Sequence, residues 1–300
     1  MAGKATFVEW FCGIGGFSES VRGAAEIRVA VDINQNALGV YRANFDGETL
    51  CKSIESLTVD ETSSWADASW WMSPPCQPHT VRGRQKDLED PRSRAFENVL
   101  RLIAAHQPPE IALENVPGFA KSKSFERLHD CLGSLGYCVA HRIICPTELG
   151  IRNRRKRFYL LAAKQSLANW QSYPKLRHSK PKFSDDNRID LFIENAITNN
   201  YCTAMDVVEA DSEEPTACFT SAYGRSIVRS GSYLETNMGL RRFSPSEILD
   251  QLGFRDSYRL PDWPPSRLWP LVGNSLSIPV VRYVISHLPS FYNCDQEIAM

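Results

Sequence analysis

The chain has no Cys-x-x-Cys pair, although it contains nine cysteines in 300 residues. An odd number of scattered cysteines argues against a disulfide framework, and the missing pair excludes the usual spacing of structural zinc sites. No apolar run approaches the roughly 20 residues of a membrane span, and MAGKATFVEWFCG has no signal-peptide core. We therefore expect free thiols, no metal, no membrane association and a cytoplasmic protein.

The sequence also has no excess of charge of either sign. Its 34 Lys and Arg residues balance 35 Asp and Glu residues, for a net charge of −1. Any binding of nucleic acid must therefore depend on local basic patches. The length suits one large domain or two modest ones, and no extended apolar stripe is left over for a partner subunit. We expect a monomer.

Short apolar runs alternate with helical segments through the first half of the chain. The strand-like runs are ATFVEWF, IRVAVDI, ASWWMS, EIALENV, YCVAHRII and RFYLLAA, and the helical segments are GIGGFSESVRGAAE, NALGVYRANF and SRAFENVLRLIAAH. This alternation predicts an α/β fold in which helices cross over a mostly parallel sheet. After about Lys164 the sequence becomes polar and irregular, which predicts a smaller second domain. Farther on, Ser244 and Glu247 in SPSEILDQLGF predict a helix-capping box.

A glycine-rich turn, FCGIGG, follows the first strand and precedes a helix. Glycines there let the backbone approach a ligand closely at a helix N-terminus. Asp32 ends the next strand about 20 residues beyond Gly13, the separation at which an acidic side chain meets ribose hydroxyls. Because the spacing is not GxGxxG, an adenosine-containing cofactor without a pyrophosphate fits at least as well as a dinucleotide. A tight turn beside a solvated aspartate remains the alternative.

Cys76 lies in the segment SPPCQP, directly after Pro74 and Pro75. The two prolines have fixed φ, so the loop has little conformational freedom. It follows a strand, on the side of a parallel sheet where ligands bind, and Arg82 and Arg84 favour a thiolate. These features suggest a nucleophile, with a buried structural thiol as the alternative.

Glu114 ends the strand-like run EIALENV, one helix after Cys76. This spacing places the two side chains at neighbouring strand ends. A carboxyl group buried there suits proton donation near neutral pH, whereas a strand-end charge in water is the alternative.

The segment RNRRKR, residues 152–157, is almost entirely cationic and directly precedes a strand. Such a run is typical of a solvated face or of a phosphate contact. Strand alternation would send Arg155 and Arg157 to one side and Lys156 to the other.

In this order, FCGIGG, SPPCQP, LENV, NRRKR and LVGNS resemble the successive motifs of the cytosine methyltransferases that act on ring carbon 5. The resemblance extends from Phe7 to about Ile285. The segment CFTSAYG, residues 218–224, is most similar to the branch that methylates transfer RNA in the anticodon loop, at position 38. The short stretch between NRRKR and LVGNS fits that branch as well.

The resemblance implies a Rossmann-like, S-adenosylmethionine-dependent methyltransferase domain with a mostly parallel sheet, formed by residues 1–164 and 266–300. Residues 165–265 would form a smaller target-recognition domain. The cofactor would be S-adenosylmethionine, with S-adenosylhomocysteine as the product. The partner would be transfer RNA, with methylation of cytosine in DNA as the alternative. A nucleic-acid binder without activity is a third hypothesis, against which the complete set of motifs argues.

The resemblance also assigns roles to individual residues. Cys76 would add to carbon 6 of cytosine, and Glu114 would bind the ring nitrogen and the exocyclic amine. Arg157 would contact the carbonyl oxygen of the base, supported by Arg155. The cofactor pocket would be lined by Phe11, Cys12, Gly13, Ile14, Gly15, Gly16, Asp32, Ile33, Ser53, Ile54, Glu55, Pro75, Asn274 and Ser275. The substrate would be bound by Arg82, Arg84, Asn115, Cys218, Phe219 and Thr220. His79 stands where the family usually has Phe, and we expect it to pack; the sequence does not identify the base that takes the last proton.

Overall fold

The structure, a computed structural model, describes residues 4–75, 93–170, 189–194, 197, 200, 201, 203–210 and 212–292. The described residues divide into two compact units. The first lies within residues 1–144, 156–172 and 280–300, and the second within residues 145–155 and 173–279. The functional division predicted at residues 164 and 266 therefore differs in its bounds from these units, and it stays a prediction.

The helices and strands of the described residues have the following bounds. The strands are β1 (Ala5–Trp10), β2 (Ala25–Asp32), β3 (Thr49–Cys51), β4 (Ser69–Met72), β5 (Glu110–Asn115), β6 (Cys138–Ile144), β7 (Asn153–Arg154), β8 (Arg157–Ala163), β9 (Asp206–Glu209), β10 (Thr216–Ala217), β11 (Ser232–Thr236) and β12 (Gly239–Arg242). The helices are α1 (Gly16–Ser20), α2 (Gln35–Arg42), α3 (Ser93–His106), α4 (Lys123–Ser134), α5 (Pro245–Leu252), α6 (Pro265–Gly273), α7 (Ile278–Ile285) and α8 (Pro289–Tyr292).

Seven strands of the first unit form one sheet in the order β3-β2-β1-β4-β5-β8-β6. The first five strands of this order are parallel to one another, and β8 is antiparallel to both β5 and β6. The prediction of an α/β fold with a mostly parallel sheet is confirmed. Since β8 runs backwards, it begins at the sheet edge where β5 ends, and Asn115 pairs with Phe158. This reversal brings the ends of LENV and NRRKR together.

The core of the first unit explains why its strands read as apolar runs. Every residue of β4 and β5 is buried, as expected for strands covered on both faces. Trp10 and Trp70 pack against each other with ring centroids 5.0 Å apart, and Phe119 packs on Phe158. These large aromatic side chains keep the ends of the central strands in fixed positions.

Two helix predictions have different outcomes. The first helix is shorter than predicted, because α1 ends at Ser20 and β2 already begins at Ala25. The predicted capping box at the start of α5 is confirmed. The Ser244 hydroxyl accepts the Glu247 N–H at 3.2 Å, and the Glu247 carboxylate accepts the Ser244 N–H at 2.7 Å. A capping box needs only residues three apart, which explains why the sequence reveals it.

The second unit contains a sheet of β9, β11 and β12 and a parallel pair of β7 and β10. Within the described residues, the segment Pro265–Ile285 has the length and apolar composition of a membrane span. However, 72% of its most apolar window is buried in the protein, which is typical of core helices.

Candidate active site

The glycine-rich turn leaves the sheet at the end of β1. Phe11, Gly13 and Gly15 all have positive φ, at 56°, 54° and 85°. A Cβ atom on Gly15 would lie 2.5 Å from the Phe45 ring and 2.9 Å from the Tyr41 ring, so no larger residue fits there. At Gly13, in contrast, no atom of the described residues, apart from those of its chain neighbours, lies within 4 Å of the Cβ position. The turn therefore borders open space on its Gly13 side.

Asp32, at the end of β2, holds this turn in place. Its Oδ2 atom accepts the Gly13 N–H at 2.8 Å and its Oδ1 atom accepts the Asn34 N–H at 2.8 Å. Burial raises the pKa of Asp32, while these backbone hydrogen bonds oppose the shift. The next side chain, Ile33, is 68% exposed. An anchored carboxylate and an exposed apolar side chain close to open space suit the ribose and base of a nucleoside.

A buried carboxyl group lies beneath the turn, and the sequence analysis missed it. Glu9 on β1 accepts the Phe17 N–H at 3.2 Å and a hydrogen bond from the Ser18 hydroxyl. The Ser18 Oγ atom lies 2.7 Å from the Tyr41 hydroxyl. Burial is the main cause that raises the pKa of Glu9 to about 8. An acidic residue within the apolar run FVEWF was the available signal, since such a residue needs buried partners.

Residues 53–55, which were predicted to line the cofactor pocket, lie in a short 3₁₀ turn. Ile54 is buried in the core, Ser53 is half-buried and Glu55 is exposed. The Ile54 side chain therefore points away from solvent. A ligand at this turn would therefore contact its main chain or the side chains of Ser53 and Glu55.

Glu114 and Arg157 form an ion pair at the edge where β5 ends and β8 begins. The Arg157 Nε atom lies 3.1 Å from Glu114 Oε1, and the two side chains are 15% and 11% exposed. Arg157 also donates from Nη1 to the Lys156 carbonyl at 2.8 Å. The arginine is therefore held from two sides. A carboxyl group beside a planar guanidinium can bind both edges of a pyrimidine that carries an amine and a carbonyl.

Asn115 connects this edge to the segment that precedes Cys76. Its side-chain amide donates to the Pro74 carbonyl at 3.2 Å, and its Oδ1 atom accepts the Val116 N–H at 2.8 Å. Asn115 is buried, and its side chain holds the main chain at Pro74. Pro75 is exposed next to it. The predicted residues Cys76, His79, Arg82 and Arg84 lie outside the described residues.

These groups leave the sheet from three adjacent strands, β1, β4 and β5. The strand order reverses between β1 and β4, and the Ser73 N–H donates to the Trp10 carbonyl at 3.3 Å across that point. In open α/β sheets, ligands bind at the carboxyl ends of the strands at such a reversal. The glycine turn, the Pro74–Pro75 segment and Glu114 therefore belong to one candidate site of the first unit.

A family model described as C-5 cytosine-specific DNA methylase matches residues 5–229. The chain belongs to this family. A tRNA (cytosine(38)-C(5))-methyltransferase of Schizosaccharomyces pombe is 30% identical and covers 94% of this chain and 96% of its own length. The solved structure of the Entamoeba histolytica methyltransferase EhMeth has a TM-score of 0.89 at 26% identity, with 98% of this chain and 100% of that chain covered. The Dnmt2 methyltransferase of S. pombe has a TM-score of 0.85 at 26% identity, with 97% and 100% covered. The predicted family and methyltransferase fold are confirmed.

In this methylase, Arg155 does not follow the strand alternation predicted for it. Strand β8 begins at Arg157, and Arg155 lies in the second unit with only 3% of its surface exposed. Its guanidinium donates to the carbonyls of Phe219 at 2.8 Å, Gly273 at 3.2 Å and Ser275. The side chain thus links the CFT segment to the LVGNS segment. A buried guanidinium surrounded by carbonyls acts as a structural clamp.

For the other cations of residues 152–157 the sequence predicted a solvated face or a phosphate contact, and the structure pairs two of them with carboxylates. Arg152 pairs with Glu213 at 2.6 Å, and Arg154 pairs with Asp206 at 3.6 Å. Lys156 is exposed. Each arginine of the segment therefore has an acidic or carbonyl partner within the protein, and a contact of the segment with phosphate stays a prediction.

The remaining predicted residues lie in the second unit. The Phe219 side chain is buried. Cys218 is half-buried, and its Sγ atom lies 3.5 Å from Arg155 Nη1. A Cβ atom on Gly273 would lie 2.3 Å from the Thr220 carbonyl oxygen, so the two segments are in close contact. Asn274 is exposed, whereas Ser275 is buried. Their assignment to the cofactor and the substrate stays a prediction.

Cys12, within the glycine turn, is not suited to act as a nucleophile. Burial, together with the charges of Glu9 and Asp32, raises the pKa of its thiol well above the ordinary range. A neutral buried thiol behaves as a small apolar side chain. Among the described residues, no group of three His, Cys, Asp or Glu side chains has the geometry to hold a metal ion.

Proposed function

We propose that this chain transfers a methyl group from S-adenosylmethionine to carbon 5 of cytosine 38 in the anticodon loop of a transfer RNA. The observation that carries the chemistry is the Glu114–Arg157 pair, 3.1 Å apart at the carboxyl end of β5. The choice of substrate is supported by the S. pombe relative, whose printed name is tRNA (cytosine(38)-C(5))-methyltransferase and whose similarity extends over nearly the full length of both chains. The segment CFTSAYG supports the same choice.

The residues around the glycine turn fit the proposed cofactor. The open space beside Gly13, the Asp32 carboxylate and the exposed Ile33 side chain suit its adenosine part. Ser53 and Glu55 would contribute from the turn at residues 53–55, and the assignment of Asn274 and Ser275 to the cofactor stays a prediction from the sequence. When bound, S-adenosylmethionine supplies a methyl group on a sulfonium sulfur, and S-adenosylhomocysteine remains as the product.

The protein side chains would solve the problem that carbon 5 of cytosine is a poor nucleophile. The Cys76 thiolate adds to carbon 6, which forms a sulfur–carbon bond and moves an electron pair onto carbon 5. Glu114 binds the ring nitrogen and the exocyclic amine, and Arg157 binds the carbonyl oxygen, so charge that develops on the ring is stabilised. After methylation, carbon 5 loses its proton to a base. The released electron pair restores the ring double bond as the sulfur–carbon bond breaks and the thiolate leaves.

A cytosine must leave its stack before a thiolate can reach carbon 6. In a single-stranded loop this extrusion costs less than in a duplex, where base pairing must also be broken. An anticodon loop is therefore a favourable substrate for this chemistry. The monomeric state and the cytoplasmic location stay predictions from the sequence.

The substrate can be tested with tritiated S-adenosylmethionine, bulk transfer RNA and duplex DNA in parallel. We expect label in transfer RNA from the wild type and none from Cys76→Ala. Cys138→Ala removes an exposed thiol on the edge strand β6 and is expected to leave the labelling unchanged. Label in DNA alone would establish the alternative substrate and reject transfer RNA.

The covalent step can be tested separately with transfer RNA that carries 5-fluorocytidine at position 38. Fluorine on carbon 5 blocks the final elimination, so the adduct accumulates. The wild type and Cys138→Ala should form a complex that survives denaturing electrophoresis, and Cys76→Ala should not. A wild type that methylates ordinary transfer RNA but forms no such complex would disprove the covalent route.

A further inference from the structure

The turn formed by residues 53–57 is held by a side chain that lies on α3. Asn98 donates from Nδ2 to the main-chain carbonyl of Ile54 at 2.7 Å and to that of Leu57 at 2.9 Å. The side chains of Ile54 and Leu57 are only 4% and 2% exposed. A primary amide has two N–H donors, so both are used on this turn.

Arg101 fixes the orientation of that amide. Its Nε atom donates to Asn98 Oδ1 at 2.9 Å, and its Nη2 atom donates to the Leu57 carbonyl at 2.9 Å. Since the guanidinium can only donate, the Asn98 oxygen must face it, and the amide nitrogen must face the turn. Arg94 reaches Glu55 at 3.4 Å from one turn farther back on α3. Residues 94, 98 and 101 share one face of the helix because their spacing is four and three.

The rest of the turn's support comes from the burial of the Ile54 and Leu57 side chains in the core and from short-range hydrogen bonds. Its internal hydrogen bonds run to the Ser53 carbonyl from the Ser56 N–H at 3.0 Å and from the Ser56 hydroxyl at 2.8 Å, and to the Ile54 carbonyl from the Leu57 N–H at 3.3 Å. Short 3₁₀ turns have poor hydrogen-bond geometry and limited stability of their own. The contacts from α3 add to the order of this part of the chain before a ligand binds, because they satisfy two of its main-chain carbonyls.

We propose that Asn98, oriented by Arg101, is a positioning residue that preorganises residues 53–55 for S-adenosylmethionine. The inference rests on the proposed function, because the cofactor role of this turn is part of it. A turn that is ordered in advance loses less conformational freedom on binding, so affinity is higher. Glu114 and Arg157 lie on other elements of the same unit, so their interaction with the base is not expected to depend on Asn98.

Isothermal titration of the full-length protein with S-adenosylhomocysteine tests this role without any nucleic acid. In Asn98→Asp, a carboxylate faces two carbonyl oxygens in place of the amide, and we expect the Kd to rise about tenfold. Asn44→Asp is the matched control, because the Asn44 amide also donates to a carbonyl of the first unit, that of Val40 at 2.9 Å. The control should stay within about twofold of the wild type.

Kinetics then separate positioning from general damage to the fold. For Asn98→Asp, the KM for S-adenosylmethionine should rise with the Kd, while kcat at saturating cofactor and the KM for transfer RNA stay unchanged. An equal Kd in the wild type and a folded Asn98→Asp overturns the inference. The inference is also overturned if kcat and affinity fall to the same extent in Asn98→Asp and in Asn44→Asp.

Arg101→Lys provides a second, milder variant if Asn98→Asp does not fold. It keeps the charge but loses the guanidinium fork, and the Kd should rise about threefold; an unchanged Kd overturns the inference. Label in DNA instead of transfer RNA would overturn only the proposed substrate. A wild type that does not bind S-adenosylhomocysteine would overturn the cofactor and this inference together.

Discussion

The glycine turn of residues 11–16 and the basic segment of residues 152–157 are both short motifs, but one is determined by its main chain and the other by the partners of its side chains. The turn owes its shape to backbone conformation, with positive φ at Phe11, Gly13 and Gly15. Its partners come from the next strand and helix of the chain. The basic segment owes its properties to long side chains, whose partners come from distant parts of the sequence.

Two arginines separated by one residue show the consequence. Arg157 pairs with a carboxylate at the edge of the large sheet, whereas Arg155 is surrounded by backbone carbonyls of the second unit. Their charge is the same and their surroundings differ. A run of cations in a sequence therefore indicates charge, but not whether that charge is available to a phosphate.

The largest expected effect comes from removing the charge of Glu114, which pairs with Arg157 at the end of the basic segment. Glu114→Gln keeps the shape of the side chain but removes the charge that faces Arg157, and we expect kcat to fall about 10²–10³-fold. Arg154→Gln, which removes an exposed cation of the same segment, should change kcat less than about threefold. Initial rates with tritiated cofactor measure both. Equal losses in the two variants would show that the segment acts as one charged surface after all.

The glycine turn offers a matched pair of substitutions. Gly15→Ala places a Cβ atom 2.5 Å from the Phe45 ring, and it should destabilise the protein by about 2–3 kcal/mol. Gly13→Ala meets open space and should cost only about 1 kcal/mol, but it should weaken binding of S-adenosylhomocysteine. Urea denaturation and calorimetry separate the two effects. Equal losses of stability would contradict the difference in packing.

Arg155 tests whether a cation of the basic segment acts as a structural clamp. Arg155→Met leaves several buried carbonyls without their donor and should lower the free energy of unfolding by about 2 kcal/mol. Arg154→Met breaks an exposed pair with Asp206 and should cost less than about 1 kcal/mol. Denaturation midpoints of the two variants provide the comparison. The reverse order would mean that Arg155 is not the clamp.

The smallest expected effect is the pH dependence of stability that results from Glu9, which lies beneath the glycine turn. Its pKa is raised from 4.5 to about 8, so between these values the folded protein keeps a proton that the unfolded chain has released. Stability should therefore decrease as the pH rises, by about 1 kcal/mol between roughly pH 6.5 and 7.5. Glu9→Gln should flatten this dependence. A wild-type curve that rises with pH in this range would contradict the assignment.

The structural features that the sequence predicted well are those that depend on neighbours along the chain. The turn after β1, Asp32 at the end of β2 and the capping box at Ser244 all belong to this group. Glu9 and Asn98 were missed because their roles depend on burial and on partners from other elements. The first helix was predicted too long, since its amphipathic pattern does not reveal that the chain turns before Ala25 into the next strand.

The sequence by itself determined the alternation of strands and helices, because apolar periodicity is a local property, and the order of its motifs carries the resemblance to the cytosine carbon-5 methylases. The tertiary structure decided that β8 runs antiparallel to β5, since an apolar run carries no direction. That reversal brings Arg157 to Glu114 at 3.1 Å. Burial likewise decided which arginines are clamps and which are exposed, because the energy of a charge depends on its surroundings more than on its neighbours in sequence.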